Sequence, residues 1–272
     1  MSAFSIHFAF EFRSGIRNRQ LLLLNYLFPL GFYLLAGAMM SNLNPDFKET
    51  MIPAMTFFAV LTSTLLGLPT PIVEARDSGI LRSYKIHGIP EMSILIIPAL
   101  TTLFHMVILT TVIVVTAPIL FQAELPTNAL GFLLSFLLMV LTSAGFGLLM
   151  GVVASSARAT TLLGQAIFLP SMLIGGLMFP THLLPSALQD LSLLLPSTHA
   201  MNLYQVFARG LPYDLNPYLS TAVLFAGAAL AFGLALYLFS WDSHNSKRRG
   251  SSILALLAIA PFVLALISSL FQ

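Results

Sequence analysis

The sequence has no cysteine, a single tryptophan and very little charge: 8% of its 272 residues are Asp, Glu, Lys or Arg. Without cysteine there is neither a disulfide framework nor a thiolate metal site. A water-soluble domain carries about 25% charged residues, so this chain cannot clothe a soluble surface and reads as an integral membrane protein. The same scarcity excludes a disordered segment, a coiled coil and a nucleic-acid patch. No G-x-x-x-x-G-K-S/T segment is present, so the chain has no cradle for nucleotide phosphates. H-E-x-x-H and G-x-S-x-G are also missing, which leaves hydrolase chemistry without parts. No catalytic residue, metal or cofactor is expected in this chain.

What is present is apolar. Hydrophobic residues make up 57% of the chain, Phe alone accounts for 22, and the mean hydropathy is +0.91. Crossing about 30 Å of hydrocarbon takes roughly 20 apolar residues in a helix. Seven runs qualify: 21–40, 52–73, 92–121, 129–154, 160–179, 218–241 and 253–271. Barrel strands would alternate over roughly ten residues, and these runs are longer and uniformly apolar. The expected fold is all-α, a polytopic membrane helical bundle. The first run exceeds a signal-peptide core of about 7–15 residues and is read as a span. The seventh is short. It either crosses, placing Gln272 on the far side, or forms a shallow hairpin broken at Pro261.

Orientation follows from the basic residues. Arg13, Arg17, Arg19, Arg76, Arg82, Lys85, Arg158, Lys247, Arg248 and Arg249 share one side, and only Lys48 and Arg209 fall on the other. The N-terminus is therefore expected in the cytoplasm of a cell with a bacterial-type inner membrane. No Asp, Glu, Lys or Arg lies within the runs, so a carboxylate proton relay is not visible. The polar exceptions are Asn25, His105 and Gln165. His105 reads as a neutral histidine bonded to a neighbouring helix, with a ligand or switch as the alternative. Energy for uphill transport must enter from a partner on the cytoplasmic side.

The segment 74–91, EARDSGILRSYKIHGIPE, offers such a partner a handle. Asp77 or Ser78 can N-cap a short amphipathic helix presenting Ile80, Leu81 and Tyr84. Gly88 can end that helix, and Pro90 suits the first position of the next one, beside Glu91. The bland alternative is a solvated polar turn, but about 2–8 residues suffice between helices. At the front, Phe4, Phe8 and Phe12 recur every fourth residue ahead of Arg13, Arg17 and Arg19. That pattern suits an amphipathic helix on the inner leaflet over residues 1–20. On the outer side, 180–216 carries Leu183, Leu184, Leu188, Leu191 and Leu195 between prolines, with Gln189 and Asp190. It reads as one or two helices dipping into the outer leaflet, either an exit-side lid or a passive loop. Gly147 and Gly151 in the fourth run, and Gly227, Ala231 and Ala235 in the sixth, allow close helix approach. They serve either inside the subunit or at a dimer seam.

Taken together, these pieces resemble the membrane subunit of ABC-2 type ATP-binding-cassette exporters over about residues 3–245. The resemblance rests on the amphipathic front, the loop EARDSGILRS, and the stretch GGLMFPTHLLPSALQDLSLLLPSTHAMNLYQ from Gly175 to Gln205. It implies an elbow helix at 1–20, a transmembrane domain at 21–241 with a coupling loop at 74–91 and an outer re-entrant region at 180–210, and a basic link with an extra hydrophobic helix at 242–272. It further implies a homodimer or heterodimer of permease subunits, each gripping a cytoplasmic ATPase that holds ATP and Mg. The ATPase would be contacted by Glu74, Arg76, Asp77, Gly79, Leu81, Arg82 and Tyr84. Pro180, Pro185 and Pro196 would shape the re-entrant region, and Gly147, Gly151, Gly175 and Gly176 the helix packing. Such subunits usually have six spans, so the seventh run departs from the pattern. The Phe-rich, uncharged spans suit a lipid or drug-like amphiphile, with polysaccharide or glycolipid export as the alternative on the same fold. The rival classes are a secondary carrier and a non-transporting membrane scaffold.

Overall fold

A computed structural model describes residues 12–13, 18–43, 47–212, 215–242 and 250–269. No strand forms among the described residues, and seven helices are long and apolar enough to cross a membrane. The spans are α1 (Arg19–Met40), α2 (Phe47–Asp77), α4 (Glu91–Phe121), α5 (Ala129–Val153), α6 (Ala157–Ile174), α9 (Pro217–Leu238) and α10 (Ser252–Ser269). Between α2 and α4 lies the short helix α3 (Ile80–Ile86). Between α6 and α9 lie α7 (Ser186–Ser192) and α8 (196–208). The expected front helix falls almost wholly outside the described residues.

Several boundaries differ from the sequence reading. α2 is 31 residues long, extending past 52–73 at both ends. Polar Lys48, Glu49, Glu74, Arg76 and Asp77 lie in its terminal turns, where hydropathy fails to see helix. α6 stops at Ile174, short of Phe179, because Gly176 takes a left-handed conformation (φ 83°) that a side chain resists.

Two spans carry a turn of π-helix, Leu23–Leu27 in α1 and Thr62–Gly67 in α2. Pro29 and Pro69 have no N–H to offer the carbonyls of Asn25 and Leu65, and around those residues the hydrogen-bond ladder widens. Pro98, Pro118 and Pro170 sit inside helices without such a shift. The carbonyls of the α2 π-turn are covered by glycines. A Cβ on Gly147 of α5 would stand 2.1 Å from the Thr64 carbonyl oxygen, and one on Gly164 of α6 2.5 Å from that of Leu65. Gly151 likewise abuts Ile72 and the Pro69 carbonyl. The Gly147/Gly151 pair thus packs inside the subunit.

The core is built on α2 and α5. Of their most apolar stretches, 94% and 83% lie inside the protein, against 22–39% for the other spans. α5 meets α9 closely, with Gly145 facing Ala231 and the Thr142 hydroxyl 2.8 Å from the Leu224 carbonyl across the interface. α10 packs on α9 through Phe262, whose ring fills the space a Cβ on Gly227 would take. It is one continuous element, not a hairpin: a 3-10 stretch (Ser252–Ile259) runs into α-helix (Ala260–Ser269) at Pro261. Eight residues rising about 2.0 Å each and ten rising about 1.5 Å reach about 31 Å. The same 18 residues as pure α-helix would reach about 27 Å, short of the roughly 30 Å of hydrocarbon.

Candidate functional site

The 74–91 segment is a helix–turn–helix at one end of the bundle. α2 continues through Glu74, Arg76 and Asp77, so these residues belong to a span's last turn. The expected N-cap by Asp77 or Ser78 does not form. The Ser78 hydroxyl donates back to the Glu74 carbonyl (2.7 Å), and Gly79, left-handed at φ 77°, precedes α3. α3 does end before a left-handed Gly88 (φ 73°), which turns the chain towards α4. Pro90 stands one position earlier than expected, as the cap residue, and Glu91 opens the helix.

Exposure divides the predicted contact residues. Glu74, Asp77 and Arg82 are exposed, Gly79 and Tyr84 are half-buried, and Arg76 and Leu81 are buried. The Arg76 guanidinium donates to the carbonyls of Val152 (2.8 Å) and Ala154 (2.5 Å), the last acceptors of α5. A cation there satisfies orphan carbonyls and complements the helix dipole. Arg76 therefore clamps α5 to α2 and does not face a partner. Leu81 packs into the core under α3, and Tyr84 packs beside it. The apolar side chains that α3 does present outward are Ile80 and Ile86, the latter 78% exposed. Ile86 was not singled out by spacing, because burial of Leu81 reverses the face a helical wheel suggests. Arg82 pairs with Asp242 after α9, and the Trp241 indole donates to Glu91 (3.0 Å). These contacts tie α3 to the ends of α4 and α9.

The opposite end holds the outer region. Pro180 precedes a 3-10 turn, Pro185 precedes α7, and Pro196 opens α8. α8 is not a surface loop: Pro196 to Met201, Leu203, Tyr204 and Ala208 are all buried. Gly175 makes room for it, since a Cβ there would lie 2.0 Å from the Ser197 hydroxyl. His199 is buried within a neutral chain of hydrogen bonds. Asn202 donates to the Ser220 hydroxyl (3.0 Å), which lies 3.2 Å from His199 Nδ1, while His199 Nε2 lies 2.9 Å from the Leu193 carbonyl. A carbonyl can only accept, so Nε2 carries the proton and Nδ1 accepts from Ser220. Burial pushes His199 down to about 4, partly opposed by the Leu193 bond. Arg209, one of the two basic residues assigned to this side, bonds Glu124 (2.6 Å) and Glu49 (3.0 Å). The sequence reading missed both groups. The pairing of a scarce cation with acids of its own side was the available signal for the second.

Between α1, α2 and α4, immediately above α3, lies a cavity of about 380 Å³. Asn25 and Ser63, one from each π-turn, line it with Thr102 and His105, and Leu81 and Tyr84 of α3 form its floor. His105 Nδ1 lies 2.6 Å from the Tyr26 hydroxyl, and the Phe12 ring stacks on the imidazole at 5.2 Å. This histidine is bonded to a neighbouring helix, in keeping with the plainer of its two readings.

A model of the ABC-2 type transporter family matches residues 2–207. The chain belongs to this family. No curated protein matches it. As an ABC-2 type transporter it is a multi-pass membrane protein of transport, and the match takes in the front segment, α3 and the outer hairpin. α9 and α10 lie beyond the matched residues.

Proposed function

We propose that this chain is the permease of an ATP-driven exporter, worked by a separate cytoplasmic ATPase that grips α3. The observation that carries the proposal is α3 itself. It is a short helix held at the bundle end by two left-handed glycines, with Ile80 and Ile86 turned outward among Glu74, Asp77, Arg82 and Lys85. An exposed isoleucine ringed by charges is suited to a partner's groove, with the charges setting register. Buried Arg76 and Leu81 would transmit the push, since the first joins α2 to α5 and the second sits in the core. A second permease subunit would complete the route, and the basic end carrying α3 would face the cytoplasm of a bacterial-type inner membrane. A secondary carrier is less well supported, because the described spans carry charge only in their terminal turns. The cargo would be an amphiphile such as a lipid or drug-like compound, moved outward.

Ile86→Asp tests the contact. The variant should insert and elute as wild type, since the side chain is exposed, yet lose association with the ATPase and cargo-stimulated ATP hydrolysis. Unchanged stimulation would remove α3 from the coupling role.

A further inference from the structure

The cavity above α3 has unmet hydrogen-bonding capacity in a membrane-embedded wall. The hydroxyls flanking Ser63 are satisfied along their own helix, Thr62 by the Phe58 carbonyl (2.9 Å) and Thr64 by that of Val60 (2.7 Å). The Ser63 hydroxyl is buried and has no partner among the described residues. Asn25 is buried as well, and its amide makes no hydrogen bond among the described residues. The buried, unpaired Ser63 hydroxyl carries the cost of an unmet hydrogen bond, and Asn25 lines the same cavity. Both residues sit in π-turns, a feature frequent at functional sites.

Two properties define what fits. Among the described residues no Asp, Glu, Lys or Arg lines the cavity, so a phosphate or carboxylate would meet no counter-charge from them. The lining mixes polar Asn25, Ser63, Thr102 and His105 with apolar side chains, which suits a molecule that joins a polar head to an apolar body. The volume equals roughly a dozen waters at about 30 Å³ each. It admits one headgroup or chain segment and not the body of a two-chain lipid.

We infer that this cavity binds an uncharged single-chain amphiphile through a hydroxyl- or ester-bearing head that meets Asn25 and Ser63, with the coupling helix α3 as its floor. The link from binding to transport rests on the exporter reading; the binding itself does not. An occupant would touch Ile80, Leu81 and Tyr84 directly, while the far more exposed Ile86 lies outside the cavity lining and is left to the ATPase.

The test uses the full chain in nanodiscs of neutral phospholipid, without any ATPase. The probe is a monoacylglycerol carrying a diazirine near its head, compared with the lysophosphatidate of the same chain. Adducts of the monoacylglycerol should map to α1, the middle of α2 and the first half of α4, and the charged probe should label these segments far less. Ser63→Ala and Thr102→Val, which remove a hydroxyl without adding bulk, should each cut labelling about fivefold, the worth of one hydrogen bond. Asn25→Leu should do the same where helicity and elution show that it folds. Equal labelling by both probes, or labelling untouched by Ser63→Ala and Thr102→Val, overturns the assignment. If binding behaves as stated but the probe fails to stimulate hydrolysis once the ATPase is added, the site stands and the exporter reading of it falls.

Discussion

At the residue scale, the polar side chains of this protein do structural tasks that composition alone conceals. Arg76 stitches the end of α5 to α2, and Arg209 gathers Glu49 from the first turn of α2 and Glu124 from the α4–α5 connection. His199 holds α8 against α9 through Ser220 while staying neutral. Its folded-state value of about 4 lies below the unfolded 6.5, so the unfolded chain binds the extra proton between them. The stability it confers is complete above pH 6.5 and is lost as pH falls towards 4, at about 1.4 kcal/mol per pH unit. Thermal unfolding in detergent should therefore show a falling midpoint across that window, and His199→Gln should flatten the slope. Only the Arg209 group left a signal in the sequence; the others are concealed because they join residues far apart, 21 positions for His199 and Ser220 and 76 for Arg76 and Val152.

At the element scale, most spans were readable because a run of 20 apolar residues has few alternatives to a membrane helix. What the sequence concealed were the ends and the irregularities. Charged terminal turns hid four residues at the C-terminal end of α2, and Gly176 ended α6 early. The α3 face was misjudged because spacing tells which residues share a stripe but not which stripe meets the core; Leu81 went in and Ile86 out. The π-turns were signalled only by prolines, and Pro53, Pro98, Pro118 and Pro170, also inside helices, produced none. The glycines offer a direct check on the packing of α5 against the α2 π-turn. Gly147→Ala places a Cβ 2.1 Å from the Thr64 carbonyl oxygen, so the backbones must part. Overpacking of this kind costs about 1–3 kcal/mol, and the variant should show a lowered melting midpoint. Gly233→Ala, which meets nothing within 4 Å, should not.

At the scale of the whole molecule, two groups of charges mark the two ends. Arg82, Glu91 and Asp242 meet at the end carrying α3, and Glu49, Glu124 and Arg209 at the other. This grouping agrees with the alternation of the first six spans. α10 is the seventh candidate, lengthened by the 3-10 stretch in its first half. The absence of cysteine makes the topology easy to probe. In intact cells a membrane-impermeant thiol reagent should label His182→Cys and Ser269→Cys, and should reach Lys85→Cys only after permeabilisation. Labelling of all three from one side would break the seven-span arrangement.

The central claim is that the chain is a gate moved by a motor outside itself. The most direct measurement is cargo movement in proteoliposomes containing this permease, with and without the ATPase that co-purifies with it. Transport that requires both the ATPase and ATP, and that stops in Ile86→Asp, is the expected result. Transport at full rate by the permease alone would contradict the account.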